Sequence, residues 1–80
     1  MEKEKYLEIA QGTLSFVFSK ASARETIEVM AKLRLSTVTD VDTSLINELN
    51  TILYKRIRIL KGEDAAAFFL KSINAECQLN

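Results

Sequence analysis

The eighteen residues from Ser44 to Lys61, SLINELNTILYKRIRILK, form the longest uninterrupted helical pattern in the chain, and Gly62 follows at once. At about 100° per residue, Leu45, Ile46, Leu49, Ile52, Leu53, Ile57, Ile59 and Leu60 share one arc of roughly 160°. Asn47, Asn50, Thr51, Tyr54, Lys55, Arg58 and Lys61 fall outside it. Asp40, Asp42, Thr43 and Ser44 are all suited to cap the helix start. Lys55, Arg56, Arg58 and Lys61 place positive charge at its end, where the helix dipole favours it. Gly62 suits a left-handed C-cap. A helix over 43–61 follows, and the rest of the chain is expected to pack around it.

An 80-residue chain has a marginal core, burying only about 60% of the surface its unfolded form exposes. It holds no proline and two glycines, Gly12 and Gly62. That composition suits helices in tight succession, not a sandwich or a barrel. The pattern predicts an all-α fold: a small antiparallel bundle of four helices at about 2–21, 22–35, 43–61 and 64–78, in one domain spanning 1–80. In the first, Leu7, Ala10, Leu14, Val17 and Ala21 recur at helical spacing, widened by Tyr6 and Phe18. Thr13 to Phe18 also alternates like a strand, but it has no second strand to pair with. Ser22 and Glu25 match a capping box that opens the second helix, whose stripe is Ala23, Ile27, Met30, Ala31 and Leu35. Val38 and Val41 are expected to tuck inward from the connection. Asp64 is the expected cap of the fourth helix, with Ala66, Phe69, Leu70, Ile73 and Cys77 as its stripe. Leu79 and Asn80 are expected to fray.

Lysine and arginine balance aspartate and glutamate at 11 each, and there is no histidine. The missing histidine excludes a Ser-His-Asp triad, a Cys-His nucleophile and most zinc sites. Asp40, Asp42 and Ser44 begin like a calcium loop. Leu45 then stands where that loop needs glycine, and Thr51 where it needs a bidentate glutamate. The pairs Asp40/Asp42 and Glu63/Asp64 are explained as caps, and Glu4 with Glu8 as a solvated face. No catalytic residue, metal or cofactor is therefore expected. The lone Cys77 reads as a small core hydrophobe in a reducing cytoplasm. MEKEKYLEIAQG is too charged for a secretory signal, and no apolar run approaches the roughly 20 residues that span a bilayer.

The functional signal lies in apolar residues left over once the main stripes are assigned. Ile9 and Phe16 remain on the first helix with Gly12 between them in angle, Val29 and Leu33 on the second, and Phe68 on the fourth. Leaving a phenylalanine wet forgoes roughly 1.5–3 kcal/mol of burial, and a helix with two apolar stripes usually touches something on both sides. A protein-binding module is expected: an adaptor, chaperone or inhibitor that docks onto itself, as a dimer, or onto a protein partner. Ile9, Phe16, Val29, Leu33 and Phe68 would be its anchors. Tyr54, Arg56 (which projects into the apolar arc) and Arg58 would supply specificity. Packing alone accounts for the arc of the 44–61 helix, so that helix is not expected to be the chief binding face.

Ala31 to Thr39, AKLRLSTVT, resembles the turn of a helix-turn-helix unit, in which Ala is commonly followed by Leu-Gly, an aliphatic residue, Ser and later Thr-Val. It departs at Arg34, where the turn glycine is usual, and its Ala-to-Ser spacing is one residue short. The resemblance implies an alternative, a dimeric DNA-binding regulator using the 44–61 helix, with Asn47, Asn50, Tyr54, Arg58 and Lys61 toward phosphates or base edges. Zero net charge weighs against it.

Overall fold

The computed structural model describes residues 1–78, so Leu79 and Asn80 lie outside the described residues. Four helices follow one another: α1 Lys3–Leu14, α2 Lys20–Arg34, α3 Thr43–Lys61 and α4 Glu63–Glu76. They form the helical bundle that the patterning predicts, with one shared core. The most extensive packing joins α3 to α4, and α1 lies against both α2 and α4.

The junction between the first two helices differs from the sequence reading. α1 stops at Leu14 instead of running to 21, and residues 15–18 fold into turns around its end, neither helix nor strand. Ser15 Oγ donates to the Gly12 carbonyl at 2.6 Å, and a hydroxyl that engages the backbone this way competes with helix continuation. Ser19 then caps α2, accepting from the Ser22 amide at 3.2 Å. The capping box at Ser22 is therefore not the start, because Ser19 already caps the helix one turn earlier. Ala21, expected in the core stripe of the first helix, sits exposed on α2.

α3 starts as expected, with Asp42 Oδ1 accepting from the Leu45 amide at 2.8 Å. Its end is decided by Gly62, the single residue between α3 and α4, with φ 98° and ψ 172°. An L side chain is strained there. Gly62 caps both helices at once: its amide donates to the Arg58 carbonyl and its carbonyl accepts from the Ala66 amide. Asp64 consequently lies inside the first turn of α4, not at its cap. Gly62→Ala should destabilise the fold by more than about 1 kcal/mol. Thermal unfolding of the variant checks this, and an unchanged midpoint would show that the corner relaxes.

The eight-residue connection between α2 and α3, residues 35–42, is held down by the N-terminus. The Val41 amide donates to the Met1 carbonyl at 2.8 Å and the Lys3 amide to the Thr39 carbonyl at 3.3 Å. Leu35 and Val41 are fully buried, and Val38 packs against the core beside them.

The core contains Ala10, Leu14, Ile27, Met30, Leu49, Leu53, Ile57, Phe69 and Ile73, as the stripes predict, and Cys77 is buried among them. It also contains a polar chain. The Tyr6 hydroxyl donates to Asn50 Oδ1 at 2.6 Å, and the Asn50 amide donates to Asn74 Oδ1 at 3.2 Å. Asn50 is 1% exposed, although it falls outside the apolar arc of its helix. Among the described residues no buried side-chain nitrogen or oxygen lacks a partner.

Asn50 shows how α3 is rotated. Its buried residues, Ile46, Leu49, Asn50, Leu53 and Ile57, span roughly 100° at about 100° per residue, and they lie at one side of the apolar arc. The other side of the arc, with Ile52, Arg56 and Ile59, is left outside the core, while Leu45 near the helix start packs partly buried against it. Ile59 is 81% exposed and Arg56 is exposed.

Candidate docking faces

The uncovered flank of α3 forms one wall of a groove of about 400 Å³. Ile52, Arg56 and Leu60 line it from α3, and Glu25, Val29 and Leu33 from α2, with Phe18 at one end. Leu33 is 75% exposed, and Val29 and Leu60 more than half exposed. Arg34 reaches Glu48 across the two helices at 3.8 Å. Glu25 and Arg56 form no ion pair among the described residues.

A second depression, of about 710 Å³, runs between α1 and α4. Ile9, Gly12 and Phe16 face Phe68 and Ala75 across it. Phe16 is 76% exposed, Phe68 is exposed by more than half, and Ile9 is half-buried against the core. A Cβ built at Gly12 would meet nothing within 4 Å. Gly12 therefore serves no close approach inside the chain and leaves backbone accessible on this face. Glu8 and Glu76 also line the depression.

The eight residues singled out from the sequence thus fall into three places. Ile9, Phe16 and Phe68 meet in the α1/α4 depression, and Val29, Leu33 and Arg56 in the α2/α3 groove. Tyr54 and Arg58 sit apart, at the corner between α3 and α4. There the Tyr54 hydroxyl donates to Glu63 Oε1 at 2.5 Å, and the Arg58 guanidinium lies over the Tyr54 ring at 6.0 Å from its centroid. The carboxylate that accepts from the phenol raises its pKa, and burial and the carboxylate's charge act in the same direction. Lys61 sits 5.8 Å from the Phe18 ring centroid, so part of the basic run is folded back onto the chain's own aromatic groups.

Sequence reasoning missed Ile52, Ile59 and Leu60 because they lie inside the apolar arc and were expected to be buried. It missed Glu25 because the capping box explained that residue. Nothing in the helical spacing alone could reassign them. The structure also changes the surface available to the alternative reading. The eight-residue connection between α2 and α3 is about twice the turn of a helix-turn-helix unit, and Asn50, expected to face outward, is buried against Tyr6.

Among the described residues, no helix is long and apolar enough to cross a membrane. No family model matches this sequence, and neither a curated protein nor a solved structure matches it.

Proposed function

We propose that this chain is a small non-enzymatic binding protein that works by docking apolar helix faces onto a protein surface, its own or a partner's. One observation carries the reading. Phe16, Val29, Leu33, Ile59, Leu60 and Phe68 are all more than half exposed, and five of the six gather in two depressions between helices. Scattered exposed apolar residues are ordinary on soluble proteins, whereas contiguous patches mark interaction sites. Large aromatic and aliphatic anchors around a depression supply most of the energy in known interfaces. The marginal core of a chain this short adds a second reason to associate. A lone buried thiol, Cys77, suits a reducing compartment, and the cytoplasm is the proposed site of action.

The test uses exposed residues, so that folding and docking separate. Leu33→Asp and Phe16→Asp should keep the circular dichroism of the parent and its thermal midpoint at low concentration, since neither side chain contributes to the core. At least one should abolish association, read as mass in solution or as partner co-purification from the native host. Gly12→Leu probes the α1/α4 face through shape instead of charge. Parent-like mass and co-purification in all three variants would sink the docking reading.

A further inference from the structure

The two faces differ in charge, and that difference selects an occupant for one of them. The α2/α3 groove is lined by one acid, Glu25 on α2, and two bases, Arg34 and Arg56. Arg34 is paired with Glu48, which leaves Glu25 on α2 and Arg56 on α3 as the charges free on opposite walls. Neither Glu25 nor Arg56 forms an ion pair within the chain among the described residues. The α1/α4 depression is lined by Glu8 and Glu76 and by no base.

In a two-fold interface, residue i of one copy meets residue j of the other, and j meets i. A face carrying both signs can satisfy itself under that symmetry. A face carrying only carboxylates sets like charges against each other. The apolar residues around Glu25 and Arg56 also suit helix-on-helix packing. Val29 and Leu33 are one turn apart on α2, and Ile52, Arg56 and Leu60 step by four along α3. Zero formal net charge removes long-range repulsion between copies.

We propose that the α2/α3 groove is the interface of a two-fold symmetric homodimer. Val29, Leu33 and Leu60 are its apolar centre, and Glu25 of each copy pairs with Arg56 of the other. This rests on the docking reading above and goes beyond it by naming the occupant. It also gives Arg56 a role that its place in the apolar arc of α3 left unexplained. In the monomer its head is in water. In the dimer its stem stays over apolar surface while the guanidinium meets a carboxylate.

The experiment is a charge swap read as mass against concentration, by sedimentation equilibrium or light scattering. The parent should move from 9.0 kDa to twice that mass as concentration rises through the micromolar range. Arg56→Glu or Glu25→Arg alone sets like charges together at two symmetric places. Each should weaken the dimer by at least about tenfold, with helicity and thermal midpoint at low concentration unchanged. The double variant E25R/R56E restores both pairs with reversed polarity and should recover the dimer. A dimer indifferent to all three variants overturns the proposal, as does weakening by the single swaps that the double swap fails to relieve. A dimer lost only in Phe16→Asp or Gly12→Leu moves the second copy to the α1/α4 face, which overturns this assignment and keeps the docking reading. A parent that stays monomeric at high concentration also overturns it. Co-purification of a partner that depends on Leu33 or Phe16 would then leave the docking reading standing alone.

Discussion

Phe69→Ala is expected to remove about 3–5 kcal/mol of stability, through the lost transfer energy of the ring and the cavity it leaves. Phe69 is fully buried and among the largest side chains in the core. It lies on α4, whose contact with α3 is the most extensive in the molecule. A domain of 80 residues has a total stability of roughly 4–12 kcal/mol at 0.05–0.15 kcal/mol per residue, so the variant should be largely unfolded on mild heating. Urea unfolding followed by circular dichroism, at one fixed protein concentration because association would add to apparent stability, measures the change. A shift below about 1 kcal/mol would mean that the ring is not in a closed core.

Tyr6→Phe is expected to cost about 1–3 kcal/mol, although it keeps the ring. The hydroxyl it removes donates to Asn50 Oδ1 at 2.6 Å, and both residues are almost wholly buried. Their shared environment makes the loss asymmetric: the variant leaves the Asn50 carbonyl oxygen dry and unpartnered. Y6F combined with Asn50→Leu removes both partners and should recover much of the loss. Asn74, the third member, is half-buried and can turn to water. An additive double variant would show that the two side chains are not coupled.

The same burial gives the fold an alkaline limit. Desolvation holds the Tyr6 phenol well above its ordinary pKa, with a smaller contribution from the charge of Cys77. Desolvation also raises the Cys77 thiol, with Glu76 adding to it. Both groups stay protonated in the folded state while the unfolded chain loses its protons, near pH 8.5 for the thiol and 10 for the phenol by reference values of about that size. The unfolded state then binds fewer protons, so stability falls as pH rises. It should be flat below about pH 8 and decline above it. Cys77→Ala should remove the lower part of the decline and Tyr6→Phe should reduce the upper part, to which the Tyr54 phenol, raised by its hydrogen bond to Glu63, also adds.

The helices themselves were legible in the sequence because each rests on local chemistry. Asp42 caps α3, Gly62 closes it, and the core stripes of α2, α3 and α4 recur at helical spacing. The end of α1 was not legible. Ser15, Ser19 and Ser22 are competing hydroxyl signals within eight residues, and local spacing does not rank them; in the fold Val17 and Phe18, between the first two, pack against the core. The pairing of the N-terminus with residues 39–41 left no trace either, since two short extended segments have no periodicity to detect. The leftover apolar residues were identified correctly as exposed at Phe16, Val29, Leu33 and Phe68. Their grouping into two faces required the folded chain.

The helix over 43–61 shows where the two kinds of information part. Sequence alone determined that it forms, where it begins and ends, and that one side of it is apolar, because hydrogen-bonded caps and a 3.6-residue period are local properties. Which part of that wide side is buried was decided by tertiary structure. Tyr6 offers a hydroxyl from another helix, Asn50 turns inward to accept it, and that rotation is compatible with burying Leu49, Leu53 and Ile57. The remaining flank, with Ile52, Arg56 and Ile59, is turned away from the core as a consequence. A helical wheel records which residues share a side but carries no record of the neighbour that covers it. The helix expected from its pattern to lend only Tyr54, Arg56 and Arg58 to binding therefore supplies one wall of the proposed docking groove.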